Sequence, residues 1–196
     1  MNKKVYIVHG WGSNSKSKKF IWLKNELEKK NFEVVLLDMP DTLRPKIEAW
    51  VGKLKEVVGL PDENIFFVGH SIGCQTIMRY LQTLPVDMKV GGAVFIAGWF
   101  KIEGLEKEGE EAIAVGRPWI ETPIDFEKVR SVCQKISVFL SDNEPYGYIE
   151  ENKKIFEDKL GAKVIMEHNK GHFTEDDGII DLPYVLEELL RISDIN

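Results

Sequence analysis

Six short apolar segments alternate with longer segments of helical periodicity, and this alternation constrains the fold more than any other feature of the chain. The apolar segments are rich in β-branched and aromatic residues, as strands are. They are VYIVH at 5–9, VVLLD at 34–38, IFFVG at 65–69, GGAVFIAG at 91–98, KISVFLS at 135–141 and KVIMEH at 163–168. Nearly continuous apolar strands separated by helices are typical of a parallel sheet with helices on both faces. The sequence therefore predicts a three-layer α/β/α sandwich with six strands.

Helical segments fill the intervals between these strands. Phe20, Leu23 and Leu27 recur at helical spacing between about residues 17 and 30, and a second apolar stripe runs from Leu43 to Val58. Further helices are predicted at 72–84, 151–160 and 182–192. In a sheet of this kind, functional residues lie in the loops at the carboxyl ends of the strands.

One connection breaks this rhythm. Roughly forty residues separate the fourth and fifth strands, more than one helix and its turns require. The connection contains Trp99, Phe100, Trp119 and the acidic run EKEGEE at 106–111. Because the chain has no internal repeat or low-complexity segment, we predict a single domain over 1–196 with a small cap over 99–130.

Composition excludes several classes of protein. A net charge of −6 argues against a partner with a phosphate backbone, so no nucleic acid is expected. No apolar run is long enough to cross a bilayer, and the apolar stretch near the N-terminus is too short for a signal peptide. Cys74 and Cys133 have neither CxxC nor metal-ligand spacing, so no disulfide or metal site is predicted. We expect a cytoplasmic protein without membrane partners.

The third strand runs into the pentapeptide GHSIG at 69–73, which matches Gly-x-Ser-x-Gly between a strand and a helix. A nucleophile on so tight a turn is crowded, and side chains two residues before and after it would collide with neighbouring backbone. The pattern predicts Ser71 as a nucleophile and the amide of Ile72 as a donor to an oxyanion. A glycine-bounded turn with a capping serine is the alternative.

A serine hydroxyl needs a base to accept its proton and an acid to orient that base. Among four histidines, His172 in the loop before the last helix has the best position for the base, whereas we expect the turn to direct His70 away and His168 to be structural. The loop after the fifth strand offers two acids, Asp142 and Glu144. The order serine, acid, histidine along the chain agrees with such a turn, and the residues alone leave both acids open.

The segment HGWGS at 9–13 follows the first strand and predicts a second donor to the oxyanion. Its glycines let the backbone approach a ligand closely, and the amide of Trp11 is the candidate. A glycine-rich turn without function is the alternative. A dinucleotide-binding fingerprint is absent, because GWG lacks the third glycine at the required spacing.

Four segments together resemble the α/β-hydrolase superfamily, and more narrowly the small YdeN-type and retinoblastoma-binding serine hydrolases. They are YIVHGWGSN at 6–14, FFVGHSIGCQ at 66–75, SDNEPYGY at 141–148 and GHFTEDDGIIDLP at 171–183. The resemblance covers nearly the whole chain. It implies an α/β-hydrolase fold with a shortened, mostly parallel sheet, a Ser–Asp–His triad, esterase-like activity on small acyl substrates and no cofactor. Relatives carry an aspartate before the proline where this sequence has Glu144, so Glu144 is favoured as the acid and Asp142 is the alternative.

The residues and the resemblance together predict a serine esterase that cleaves a small acyl ester through an acyl-enzyme, with no cofactor or metal. Trp99, Phe100 and Trp119 are candidates for the wall of an acyl pocket, and packing of the cap on the sheet is the alternative. A thioesterase or peptidase would use the same residues. The rival class is a hydrolase-fold binding protein whose triad is vestigial, a hypothesis that the altered acid loop and the acidic cap leave open.

Overall fold

The computed structural model describes residues 3–194 and contains one six-stranded sheet in which every neighbouring pair of strands is parallel. The strand order is β2-β1-β3-β4-β5-β6. The strands are Lys4–Val8 (β1), Glu33–Leu37 (β2), Ile65–His70 (β3), Gly92–Ile96 (β4), Ile136–Ser141 (β5) and Lys163–Glu167 (β6). All six predicted strands are confirmed, because buried apolar runs of this length leave few other ways to pair their backbone groups.

Helices cover both faces of the sheet and give it two separate apolar layers. The α-helices are Lys18–Lys29 (α1), Ile47–Val58 (α2), Ile72–Leu81 (α3), Glu110–Glu121 (α4), Phe126–Val132 (α5), Ile149–Leu160 (α6) and Pro183–Ile192 (α7). One layer contains Trp50, Ile77 and Phe156 from α2, α3 and α6. The other contains Leu23 and Leu189 from α1 and α7. The predicted α/β/α arrangement is confirmed. Within residues 3–194, no helix has the length and apolar character that a membrane span requires.

The second helix begins later than its apolar stripe predicts. It starts at Ile47, and the side chain of Leu43 is 72% exposed. Pro45 explains the difference. The residue before a proline, here Arg44, is disfavoured in the helical region of φ and ψ. Lys46, which follows the proline, is still extended. The prediction that Leu43 belongs to the helix is therefore wrong, whereas the buried part of the stripe is correct.

The strand order creates a switch point between β1 and β3. The chain passes from β1 to β2 on one side and then returns to place β3 on the other side of β1. The loops that leave the carboxyl ends of β1 and β3 therefore diverge, and parallel sheets bind ligands in the crevice that opens there. This crevice receives the loop at 10–17 and the turn at Ser71.

The connection between β4 and β5 contains α4, α5 and a short 3₁₀ helix at Leu105–Glu108. The C-terminal end of α4 is firmly attached. The Trp119 indole is buried, lies edge-on to Trp50 at 6.0 Å, and donates its N–H to the Pro45 carbonyl at 3.0 Å. The Arg79 guanidinium on α3 donates to the carbonyls of Trp119 (3.1 Å) and Thr122 (2.7 Å).

Candidate active site

Ser71 lies where β3 meets α3, on the sharp turn that the sequence predicts. Its φ of 55° and ψ of −124° are unusual for a residue other than glycine. A Cβ placed on Gly69 would lie 2.8 Å from the Cys74 nitrogen, and one on Gly73 would lie 2.4 Å from the Val8 carbonyl oxygen. Both glycines are thus required by the close approach of neighbouring backbone.

The Ser71 hydroxyl is held by a tryptophan rather than used as a helix cap. Ser71 takes the N-cap position of α3, but the indole Nε1–H of Trp99 donates to its Oγ at 3.2 Å. Gln75 on α3 in turn donates to the Trp99 carbonyl at 3.0 Å. The Ser71 side chain therefore caps none of the first amides of α3, at the helix end where the dipole favours negative charge. Sequence reasoning assigned Trp99 to a pocket wall and missed this contact.

His172 and Glu144 form the first of two acid–histidine pairs. The Nδ1 atom of His172 lies 2.9 Å from both carboxylate oxygens of Glu144, and the two side chains are 12% and 13% exposed. The imidazole also packs against the rings of Tyr146 and His70, at centroid distances of 5.0 and 5.1 Å. Because a carboxylate only accepts hydrogen bonds, Nδ1 carries a proton and Nε2 is the nitrogen left for other partners.

His168 and Asp142 form the second pair, on the outer surface. The His168 Nδ1 atom lies 2.6 Å from Asp142 Oδ2, with side chains 84% and 41% exposed. The Asn169 amide donates to the other carboxylate oxygen at 2.9 Å. This backbone N–H, together with His168, lowers the pKa of Asp142. The two candidate acids thus bind different histidines, and it is Glu144 that contacts His172.

His70 does not point away from the site, so that prediction is wrong. Its Nε2 lies 2.8 Å from the His172 carbonyl oxygen, which can only accept, so Nε2 carries the ring proton. The Nδ1 atom is buried with no hydrogen-bond partner among residues 3–194. Burial, reinforced by nearby Lys19 and His172, lowers the pKa of His70 well below its usual value. A neutral His70 therefore fixes the backbone that carries His172.

The loop around His172 is fixed by two further side chains. Asp177 Oδ2 accepts hydrogen bonds from the His172 amide at 3.0 Å and from the amide and hydroxyl of Thr174 at 2.9 and 2.6 Å. The Lys19 ammonium on α1 donates to the Phe173 carbonyl. Burial lowers the pKa of Lys19 to about 8. Neither contact is evident from sequence spacing, since both depend on how the loop folds.

His9 ties the loop after β1 to the loop after β2, and Gly10 brings this loop close to the serine turn. The Met39 amide donates to His9 Nε2 at 3.1 Å, so Nδ1 carries the proton and donates to the Gly10 carbonyl at 2.8 Å. A Cβ on Gly10 would lie 2.9 Å from Nδ1 of His70. Only a glycine permits this approach, which brings the predicted oxyanion donor, Trp11, beside the serine turn.

A cavity of about 750 Å³ opens at this point, within the size range of small-molecule sites. Its lining includes Ser71, His172 and the two predicted oxyanion residues, Trp11 and Ile72. The structure thus brings the predicted nucleophile, base and oxyanion residues to one cavity, and Glu144 contacts His172 at Nδ1.

Of the three aromatic residues predicted to form an acyl pocket, Trp99 lines this cavity and the other two do not. Phe100 instead packs against Phe126 and Phe156, at centroid distances of 5.3 and 4.7 Å, and Trp119 is buried against Trp50. For these two residues the packing alternative holds, because large aromatic rings bury more area in the core than on a wetted wall.

Comparison with known proteins identifies the family to which this chain is similar. The family model described as "Serine hydrolase" matches residues 5–191. YdeN of Bacillus subtilis is 29% identical over 190 residues, covering 96% of this chain and 95% of YdeN. The serine hydrolase RBBP9 of Rattus norvegicus is 26% identical over 167 residues, covering 85% of this chain and 79% of RBBP9. The crystal structure of the B. subtilis ydeN gene product superimposes with a TM-score of 0.87 at 27% identity, over 98% of this chain and all of that one. The resemblance that the sequence motifs predict is confirmed.

Proposed function

This chain belongs to the serine hydrolase family and is a hydrolase with an α/β-hydrolase fold, and we propose that it cleaves small acyl esters through a Ser71–His172–Glu144 triad. The observation that carries this proposal is the pairing of His172 with Glu144 at 2.9 Å beside the cavity that Ser71 also lines. A carboxylate bound to Nδ1 fixes the tautomer in which Nε2 can accept the serine proton.

The proposed reaction has two steps. In the first, Ser71 Oγ attacks the ester carbonyl carbon while His172 Nε2 accepts the hydroxyl proton, and Glu144 stabilises the resulting imidazolium. The tetrahedral intermediate then collapses, and His172 returns the proton to the departing alcohol. In the second step, water attacks the acyl-enzyme with His172 again as base, which releases the acid and restores the Ser71 hydroxyl.

We further propose that the amides of Trp11 and Ile72 bind the oxyanion of each intermediate. Ile72 is the first residue of α3, where the helix dipole adds to the effect of the N–H group. One donor of this kind contributes about 3 kcal/mol to transition-state stabilisation. The Trp99 indole already donates to Ser71 Oγ, and it keeps the hydroxyl oriented in the free enzyme.

A fluorophosphonate probe tests this proposal, since it labels only an activated serine. We expect labelling of the wild type, its loss in Ser71→Ala, and its strong reduction in His172→Ala. Ser131→Ala is the matched control, because Ser131 lies on α5 and its hydroxyl donates to the Lys128 carbonyl of the same helix. A folded wild-type protein that takes up no probe would contradict the triad and favour the binding-protein alternative.

A further inference from the structure

The cavity has two chemically different walls, one of which comes from the cap. Ile102, Leu105 and Ala112 from the connection between β4 and β5 form an apolar wall together with Trp99. Glu108 is the acidic residue on this side, and it lies at the exposed rim. An apolar wall of this kind suits an aliphatic chain, since burial of methylene groups is favourable.

The opposite wall carries hydroxyl, amide and charged groups. The loop after β1 contributes Ser13, Asn14, Lys16 and Ser17 beside Trp11, and the histidine loop contributes Thr174, Glu175 and Asp176. The Ser17 and Thr174 hydroxyls already donate to Glu175 and Asp177, so a ligand would meet mainly the polar groups of Ser13, Asn14, Lys16 and Asp176. The charges on this wall are of both signs, so the wall does not select an anion or a cation. Closely spaced donors and acceptors of this kind instead suit a neutral group with several hydroxyls.

The chemistry of ester cleavage decides which half of a substrate faces which wall. His172 must return a proton to the departing alcohol oxygen, so the alcohol lies on the His172 side of the ester. Thr174, Glu175 and Asp176 follow His172 in the same loop and extend the polar wall from that point. The acyl chain then points the other way, toward Trp99, whose indole contacts Ser71 Oγ.

We propose, on the basis of the function proposed above, that the substrates are esters of a medium-chain aliphatic acid with a small polyhydroxy alcohol. The acyl chain lies against Ile102, Leu105 and Ala112. The alcohol hydroxyls bind the wall formed by the loop after β1 and the histidine loop. Hydrolysis releases the free fatty acid and the polyol, with water as the only co-reactant.

Two esters with their halves exchanged test this assignment directly. Glyceryl monooctanoate carries an apolar acyl group and a polyol alcohol, whereas octyl glycerate carries a polyol acyl group and an apolar alcohol. We expect kcat/KM to be about 10²-fold higher for glyceryl monooctanoate, because both halves of octyl glycerate would meet the wrong wall. Equal rates, or a preference for octyl glycerate, would overturn the proposal.

A matched pair of variants on α4 locates the acyl chain. Ala112 lines the cavity, whereas Ala114 on the same helix is exposed outside its lining. Ala112→Phe should lower kcat/KM for glyceryl monooctanoate about tenfold and leave glyceryl monoacetate within about twofold, and Ala114→Phe should leave both unchanged. Leu105→Ala provides a second variant, and we expect it to lower kcat/KM for the octanoyl ester alone.

Turnover of p-nitrophenyl acetate separates the failure of this inference from failure of the proposed function. If the wild type cleaves p-nitrophenyl acetate and takes up the fluorophosphonate at Ser71, but does not prefer glyceryl monooctanoate, only the substrate class is wrong. If it does neither, the esterase proposal fails and the substrate class fails with it.

Discussion

Two acid–histidine pairs lie a few residues apart, and their surroundings are opposite. Glu144 and His172 are mostly buried beside the cavity, whereas Asp142 and His168 are exposed on the outer surface. Each pair joins the loop after β5 to the loop after β6 through Nδ1 of the imidazole. The same two functional groups are therefore present twice, and their chemistry alone does not distinguish a candidate catalytic pair from a surface pair.

Strand register explains the difference. Parallel pairing of β5 with β6 places Ser141 opposite Glu167. The residues that follow these two strands, Asp142 and His168, therefore lie side by side. Glu144 lies two residues beyond Asp142, where the loop has turned inward toward His172. Burial then matters because a charge pair shielded from water interacts more strongly than one in bulk solvent. Position at the sheet edge thus decides which carboxylate contacts which histidine.

The largest expected effect comes from removing each imidazole in turn. His172→Ala should lower kcat on a short p-nitrophenyl ester on the order of 10⁶-fold, because the proposed base for the Ser71 proton is removed. His168→Ala should stay within about twofold of wild type, since its side chain is mostly solvent-exposed. Steady-state kinetics on both variants checks this, and a comparable loss in His168→Ala would break the distinction between the pairs.

Substitution of the two acids should also affect kcat unequally, and the loss should be smaller than for the histidines. Glu144→Gln keeps the size of the side chain but removes the charge that stabilises the imidazolium, so kcat should fall on the order of 10⁴-fold. Asp142→Asn is the matched substitution and should retain turnover near wild type. The reverse result, with activity lost only in Asp142→Asn, would make Asp142 the triad acid and require the loops to rearrange.

Shortening the acid by one methylene sharpens the comparison further. Glu144 contacts Nδ1 with both oxygens at 2.9 Å, so Glu144→Asp should draw the carboxylate away from the imidazole. A displacement of about 1 Å costs roughly 10²-fold, and we expect a loss of that size in kcat with KM little changed. Wild-type activity in this variant would mean that the loop follows the shorter side chain, and that its position is not rigid.

The smallest effect concerns stability and belongs to the outer pair. The pKa of Asp142 is lowered in the folded protein, so its contribution to stability is present above the unfolded value of 3.8 and is lost as the pH falls through the folded value. Asp142→Asn should therefore lower Tm by at most a few degrees near neutral pH and by less below pH 3.8. Thermal unfolding followed by circular dichroism at both pH values measures this, and a difference that grows toward acid pH would falsify the assignment.

The sheet and the serine turn are predictable from sequence because each is encoded by neighbouring residues. A run such as Phe66–Val68 can only be buried, and the close contacts of Gly69 and Gly73 reflect a turn that is complete within five residues. The position of His172 follows from chain order. These features need no knowledge of how distant segments meet.

The remaining details depend on contacts between distant segments, which sequence spacing does not reveal. The contact of His70 with the His172 carbonyl joins residues 102 positions apart. The indole of Trp99 reaches Ser71 only because β4 lies beside β3 in the sheet. Phe100, the next residue along, turns to the opposite side and packs against α6. Two adjacent aromatic residues thus have different environments, one at the Ser71 hydroxyl and the other in the core.

Arg79 has a consequence for how such a chain can diversify. It lies on the helix that follows Ser71, yet its guanidinium holds the C-terminal end of α4 through the carbonyls of Trp119 and Thr122. The residues that line the cavity from this side lie earlier, at 102–112, ahead of that attachment. Substitutions within residues 102–112 can therefore change the cavity wall without removing the Arg79 contacts or altering the turn at Ser71. Selection can then change substrate specificity independently of the residues around Ser71.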